Sequence, residues 1–497
     1  QHFWPGEGFN IGDFRVIWHR FAIIVVAALV AALLRVLLYR TRLGVAMRAV
    51  VDNRELTSLN GARPGVLSAF AWALGSSLAA LAGILVAPEV ELNPTNLNNL
   101  MLIVAIAAAA FGQIRSLPLT VVGALLIGLL ESHYRQWVTL DDFTFATRGI
   151  APIVLFLVVL ALPQARLTVG RVSSNLRPVE RTTRVWEGVI GAVAIVAIAA
   201  VMANGWLHLG LWDPGEWSQV SLNKGISALV LALIGISLVP LTGWAGQVNF
   251  APLAFAGFGA FVFLRLDDGG GNLLWLPLVG LLCAPLGAAV ALFAARLEGL
   301  YLALLSLAFA LMMSNLFFPH PEVFPQTHQF DDLFIDVGLF RLDFDTRYRF
   351  FLLLATVFAL GVLQLIVLRR SRYGRRWVAM QDSQAAAATI GVNVVWTKVV
   401  VYATSASLAG MAGVFWAVSK VTVDSVRDFD LLAGLTIVLL MAAAGLSFPV
   451  AGIFLSFQVV FEGLAQRLDQ TENVDFLVWL LEDFFAKFGP GLLAIGM

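Results

Sequence analysis

The sequence predicts an all-α, polytopic membrane helix bundle of about 14–15 transmembrane helices with a parallel internal repeat. Three observations predict it. Apolar residues make up 59% of the 497 and charged residues only 13%, where globular chains run near half and a quarter; the mean hydropathy is +0.85. The apolar excess is gathered into runs of about 20 residues, long enough to cross a bilayer as helices. Finally, one stretch occurs twice. Arg42 to Gly83 reads R-x-G, A-x-x-D, Gly61, then A-x-x-x-S-L-A-x-x-A-G, and Arg372 to Gly413 repeats those letters at an offset of 330. One inserted residue later the register resumes at 331, pairing Ser116, Pro118 and Glu131 with Ser447, Pro449 and Glu462. A register held through polar and apolar segments alike marks a duplication.

Taken in order, residues 1–15 are polar and aromatic and are expected outside the membrane. Spans are expected at 16–39, 66–87, 98–112, 117–137 and 149–163, then, after a connector with five arginines, at 186–206, 222–242, 247–265, 273–295 and 298–318. An acidic-aromatic loop precedes spans at 348–368, 395–418, 430–446 and 449–467, and a weaker run from Phe476 makes a fifteenth. The domain reading is 1–165, a linker at 166–185, and 186–497. The chain begins at Gln1 rather than Met, which suggests a piece of something longer.

Charge orients these spans. The loops rich in arginine, 40–63, 166–184 and 369–376, are separated by four and by six spans. Even numbers place all three on one side, which the positive-inside rule makes the cytoplasm. Both copies then enter from the same side, as parallel repeats of a transporter do. The net charge of zero gives no electrostatic case for nucleic acid, and the single cysteine, Cys283, excludes an intrachain disulfide. The six histidines show no metal-ligand spacing, and neither a Walker loop nor a metalloprotease motif occurs. No cofactor and no covalent chemistry are expected.

Four features carry candidate function. The polar unit after the first span has good helix formers from Ala46 to Leu59, with Gly61 suited to a helix end, and its twin runs from Gly374 to Gly391. It reads either as a positive-inside loop or as a short cytoplasmic docking helix, and its duplication favours the docking helix. Gly75, Ala79 and Gly83, like Ser405, Ala409 and Gly413, stand four apart; small residues at that spacing let helices approach closely in lipid. Span 8 carries Gly243, Gly246, Pro252, Gly257 and Gly259 around Gln247 and Asn249. A helix so interrupted is tolerated at membrane depth where protein or a water-filled cavity satisfies the freed backbone, so it is either a close-packed segment or the wall of a solute path. Glu131 lies roughly two-thirds across its span at 1.5 Å per residue. With Glu462 it is either a functional intramembrane acid or a residue paired at the outer interface with Arg135 or Arg467.

Several of these residues resemble a known family. L-x-G-x-A-G-Q-x-x-F-x-x-x-A-F-x-G-F-G-A-F at 241–261 is similar to the signature of Liv-type permeases of branched-chain amino-acid ABC transporters, and R-L-E-G-L-Y-L-A-L at 296–304 fits their M-type subunit. R-T-R-L-G-V-A-M-R-A-V near the start, the run at 116–131 and L-x-V-L-A-L-P at 157–163 resemble the carboxyl half of the H-type subunit. The chain thus looks like such a half fused to an M-type permease. Asn249-Phe250-Ala251 and Pro252 depart from the usual Ser-Leu-Gly and the polar residue after it. The resemblance implies a multi-pass permease of the bacterial plasma membrane, itself without enzymatic activity. Its partners would be two cytoplasmic ABC ATPases and an extracytoplasmic solute-binding protein. Coupling to the ATPases would fall on Arg48, Ala49, Asp52, Glu55, Gly61, Ala379, Asp382 and Gly391, and the translocation path on Gln247, Asn249, Gly257, Gly259, Glu131 and Glu462. A urea- or amide-type importer, an ion-coupled carrier and a non-transporting scaffold fragment are the alternatives.

Overall fold

The computed structural model describes residues 8–11, 14–88, 104–114, 116–137, 153–155, 157–158, 183–203, 219–267, 271–295, 297, 300–320, 333–336, 341–344, 346–420, 423 and 428–445. The spans expected at 449–467 and beyond Phe476, most of 149–163, the connector 166–182 and Glu462 lie outside these residues. Among the described residues six helices are long and apolar enough to cross a membrane, and five shorter apolar helices accompany them. The fold is an all-α polytopic bundle.

The chain forms two compact units, Gln1–Val138 and Thr139–Met497. In the first unit a short antiparallel hairpin, β1 (Gly8–Ile11) and β2 (Phe14–Ile17), leads into α1 (Trp18–Arg40). Two short helices follow, α2 (Arg42–Asp52) and α3 (Arg54–Leu59), before α4 (Pro64–Val86), helical residues 104–111 and α5 (Leu117–Trp137). Pro64 opens α4 at a position where its missing N–H costs nothing. His19 Nε2, buried at the start of α1, lies 3.1 Å from the Leu85 carbonyl near the end of α4. The two long helices therefore run antiparallel.

The second unit opens with α6 (Val185–Ala203) and α7 (Gln219–Ile236). A π-helical segment (Val239–Trp244) and α8 (Pro252–Asp267) follow, then α9 (Leu276–Ala294) and α10 (Leu300–Met312), the last running into a π turn at Met313–Phe317. A second hairpin, β3 (Phe334–Asp336) with β4 (Arg341–Asp343), precedes α11 (Arg347–Arg370), α12 (Arg372–Asp382), α13 (Gln384–Thr389), α14 (Val394–Ser419) and α15 (Leu431–Ala444). The core of this unit is α14, held between α8 and α9 by small residues. A Cβ on Gly413 would strike the Ala256 carbonyl and one on Gly259 the Gly410 backbone. One on Gly287 would come within 2.6 Å of Ala406 Cβ. Backbones this close give the dispersion contact that drives helix association in lipid.

The duplication is written in the backbone. The helices α1–α2–α3–α4 recur as α11–α12–α13–α14, and both ends of α2 and of α3 shift by 330 residues onto those of α12 and α13. Each polar unit was expected as one helix; each is two. Asn53 and Ser383 stand in extended conformation at the break, and their side chains accept from the Leu56 and Ala386 N–H groups at 3.0 and 3.1 Å. Such residues offer the backbone a local partner that competes with continuing the helix. Thr41 and Ser371 cap the preceding helices in the same way, through the Gly44 and Gly374 N–H groups. Gly61 and Gly391 end the units at φ +85° and +86°, a conformation that L side chains resist.

Candidate functional site

The polar break lies between α7 and α8. Pro240 deprives the helix of an N–H, and the backbone widens into the π segment. Ala245 N–H then donates to the Pro240 carbonyl at 3.1 Å and Gln247 N–H to the Leu241 carbonyl at 3.0 Å, while Gly246 turns left-handed at φ +65°. The π segment is thus closed by a left-handed glycine. The chain continues non-helically from Gly246 until Pro252 opens α8. The glycines and Pro252 that made a continuous helix improbable thus mark a real interruption.

Neighbouring helices satisfy the freed backbone. The Phe250 N–H donates to Ser306 Oγ of α10 at 3.0 Å, and that hydroxyl donates to the Ala303 carbonyl. Gln381 Nε2 of α12 donates to the Gly243 carbonyl at 2.8 Å. Ser405 Oγ of α14 donates to the Ser237 carbonyl at 2.7 Å, just ahead of the π segment. None of these long-range partners is legible in the sequence as a partner; Ser405 stood out only for its size and spacing.

Gln247 and Asn249 sit inside this frame, 4% and 1% exposed. Asn249 Oδ1 accepts from the Ala251 N–H at 3.0 Å, and Gln247 Nε2 donates to the Ala245 carbonyl at 3.3 Å. Among the described residues Gln247 Oε1 and Asn249 Nδ2 have no partner, nor does Thr242 Oγ1 in the adjoining π segment. Each unpaired buried polar atom costs about 1–3 kcal/mol. The break therefore presents an acceptor and a donor, both uncharged, for a polar solute or for a rearranged backbone.

The other expected path residues are placed differently. Gly257 lies under the rings of Phe318 and Phe429, and Gly259 against Gly410, so both are filled by protein. Glu131 is half-buried on α5 in the first unit. Of the residues expected to couple to ATPases, Arg48 places its guanidinium over the Tyr39 ring at 4.7 Å, and Asp52, Glu55 and Asp382 are exposed. Ala49 and Ala379 are half-buried, and their carbonyls accept from Asn53 and Ser383 at the helix breaks. The two small-residue faces diverge. Ser405, Ala409 and Gly413 are buried, whereas Gly75 and Ala79 are exposed and nothing among the described residues lies within 4 Å of a Cβ placed on Gly75 or Gly83.

The model of the branched-chain amino acid transport system permease component matches residues 2–163 and 222–479. The chain belongs to this permease family. It is a multi-pass inner-membrane protein. The permease is 25% identical over 235 residues to the high-affinity branched-chain amino acid transport system permease protein LivM of Escherichia coli, an alignment covering 42% of this chain and 55% of that protein. It is 34% identical over 110 residues to BraD of Pseudomonas aeruginosa, which bears the same description, covering 22% and 36%. It is 33% identical over 99 residues to a probable LivH of Methanocaldococcus jannaschii, covering 20% and 31%. The permease spans about half the length of the LivM relatives it matches. No solved structure matches it.

Proposed function

We propose that this chain is the membrane-spanning permease of an ABC importer that moves branched-chain amino acids, or a related small solute, inward. In this reading the carboxyl half of an H-type subunit is fused to an M-type subunit. Two cytoplasmic ATPases dock on the paired helices α2–α3 and α12–α13, and an extracytoplasmic binding protein delivers the solute. ATP-driven closure moves the docking helices, and the bundle alternates access to a path at the polar break, where Gln247 and Asn249 meet the solute.

The observation that carries this reading is the duplicated docking element. Orientation alone needs only positive charge in a loop. Here two separate sequences build the same capped pair of helices, each ended by a left-handed glycine. A pair of equal plugs suits a partner with two equal sockets. The names of the LivM and BraD relatives support the solute class.

The test is purification of the permease with its encoded neighbours, followed by leucine uptake into proteoliposomes. Co-purifying ATPases and ATP-dependent uptake are expected. Replacing Ala49–Gly61 by a flexible linker should abolish stimulation of ATP hydrolysis. Uptake driven by an ion gradient without any ATPase would sink the reading.

A further inference from the structure

The second docking helix is joined directly to the polar break. Helix α12 buries Gly374, Trp377 and Met380 along one face. The Trp377 ring stacks on Trp244, the last residue of the π segment, with centroids 6.3 Å apart and planes 20° from parallel. One turn further, Gln381 Nε2 holds the Gly243 carbonyl at 2.8 Å, a group the interrupted helix leaves for an outside donor. The Gln381 stem also lies against the turn itself, because a Cβ on Gly246 would sit 2.9 Å from Gln381 Cγ. Arg369, at the end of α11, places its guanidinium 5.7 Å from the Trp244 ring centre. One residue beyond Gly246 comes Gln247, and Asn249 follows.

We propose that this contact is the joint through which movement of α12 reaches the polar break, with Gln381 the positioning residue that ties the docking helix to the Gly243–Gly246 turn. It rests on the importer reading above. A stacked tryptophan pair resists sliding, and a hydrogen bond to a carbonyl resists separation, so α12 and the turn shift together. Any displacement of the turn moves Gln247 and Asn249, whose unpaired amide groups gain or lose partners as a result. The first copy lacks the two side chains of this joint. At the same repeat positions it carries Met47 and Val51 in place of Trp377 and Gln381, and Val51 is 86% exposed. Within the described residues the two docking helices share a backbone and differ in what they hold.

Two substitutions separate a coupling role from a structural one. Gln381→Met keeps the length and removes the donor; Gln381→Lys keeps a donor that reaches the carbonyl. In the full permease, purified with its ATPases and supplied with the binding protein, leucine uptake per ATP hydrolysed should fall about tenfold in the first variant, the scale of one protein hydrogen bond. ATPase co-purification and hydrolysis should persist, and the second variant should recover most of the uptake. Uptake per ATP unchanged in Gln381→Met, or Lys no better than Met, overturns the proposal. Hydrogen exchange on the unsubstituted complex gives an independent reading: trapping the ATPases with ATP and vanadate, which leaves ADP and vanadate bound, should alter protection in α12 and in residues 243–251 together, and a change confined to α12 also overturns it. Failure of the importer reading itself is distinguishable, since the unsubstituted chain would then bind no ATPase or take up leucine without one.

Discussion

The same glycine, one repeat apart, should respond to the same substitution with opposite sign. In a helix interior, Gly→Ala lowers the conformational entropy lost on folding and stabilises by about 0.5–1 kcal/mol where there is room. At Gly83 nothing among the described residues lies within 4 Å of the new methyl group, so Gly83→Ala should realise that gain. At Gly413 the methyl would overlap the Ala256 carbonyl and stand 2.6 Å from Ala256 Cα. Carbon atoms pack at about 3.5–4.0 Å, so α14 and α8 must part by about 1 Å. They are also interlocked at Gly259 and Gly410, so the strain cannot be relieved at one point. Overpacking of this kind costs about 1–3 kcal/mol, which exceeds the entropic gain. Thermal unfolding of each variant in the same detergent gives the comparison, with the midpoint expected to fall for Gly413→Ala and to hold or rise for Gly83→Ala. Equal losses at both sites would refute the reasoning, because they would mean that the α4 face is as tightly covered as that of α14.

Further outcomes follow from single contacts. Lys398, 1% exposed near the start of α14, donates to the Ala295 and Leu297 carbonyls at 3.3 and 3.4 Å, beyond the end of α9; Lys398→Ala should cost about 1.5–3 kcal/mol, the usual worth of a charged hydrogen bond, read as a lower unfolding midpoint. Asn53→Ala and Ser383→Ala each remove a helix cap, and hydrogen exchange should show α3 or α13 opening more easily by about 1 kcal/mol. Gly391→Val puts a β-branched side chain at φ +86°; it should disorder the end of α13 and weaken ATPase co-purification. Cys283 is fully buried, so it should react with maleimide only after unfolding.

What the sequence made legible was local. Apolar runs of bilayer length marked the long helices, and the 330-residue register marked the repeat. Gly61 and Gly391 announced helix ends because few other residues tolerate those angles. Gly243, Gly246 and Pro252 announced the interruption for the same reason. The split at Asn53 and Ser383 carried a signal too, a residue able to cap in mid-helix, but the strong helix formers around it read as continuous. What stayed hidden was non-local. Nothing near Gln381 in the sequence says that its amide will meet a carbonyl 138 positions earlier, and nothing near Ser306 says that it will hold the Phe250 N–H. Those pairings exist because a break in one helix releases backbone groups that only a packed neighbour can reach.

The small-residue faces make the same point from the other direction. Gly75-x3-Ala79-x3-Gly83 and Ser405-x3-Ala409-x3-Gly413 are equivalent as patterns, and each permits a close approach. Permission is not contact. The second is covered because Gly413 lies against the Ala256 backbone of α8, while Gly259 of α8 and Gly287 of α9 close on Gly410 and Ala406 beside it; the first meets nothing so close among the described residues. The helix pairs α2–α3 and α12–α13 diverge in parallel with this. Their caps and terminal glycines, which need only local chemistry, are alike in both copies, while the residues that reach across space, Trp377 and Gln381 against Met47 and Val51, are not. A duplicated segment can keep its backbone with no help from its surroundings, but it keeps a long-range contact only where the partner is present. The Gly243–Gly246 turn is that partner for α12.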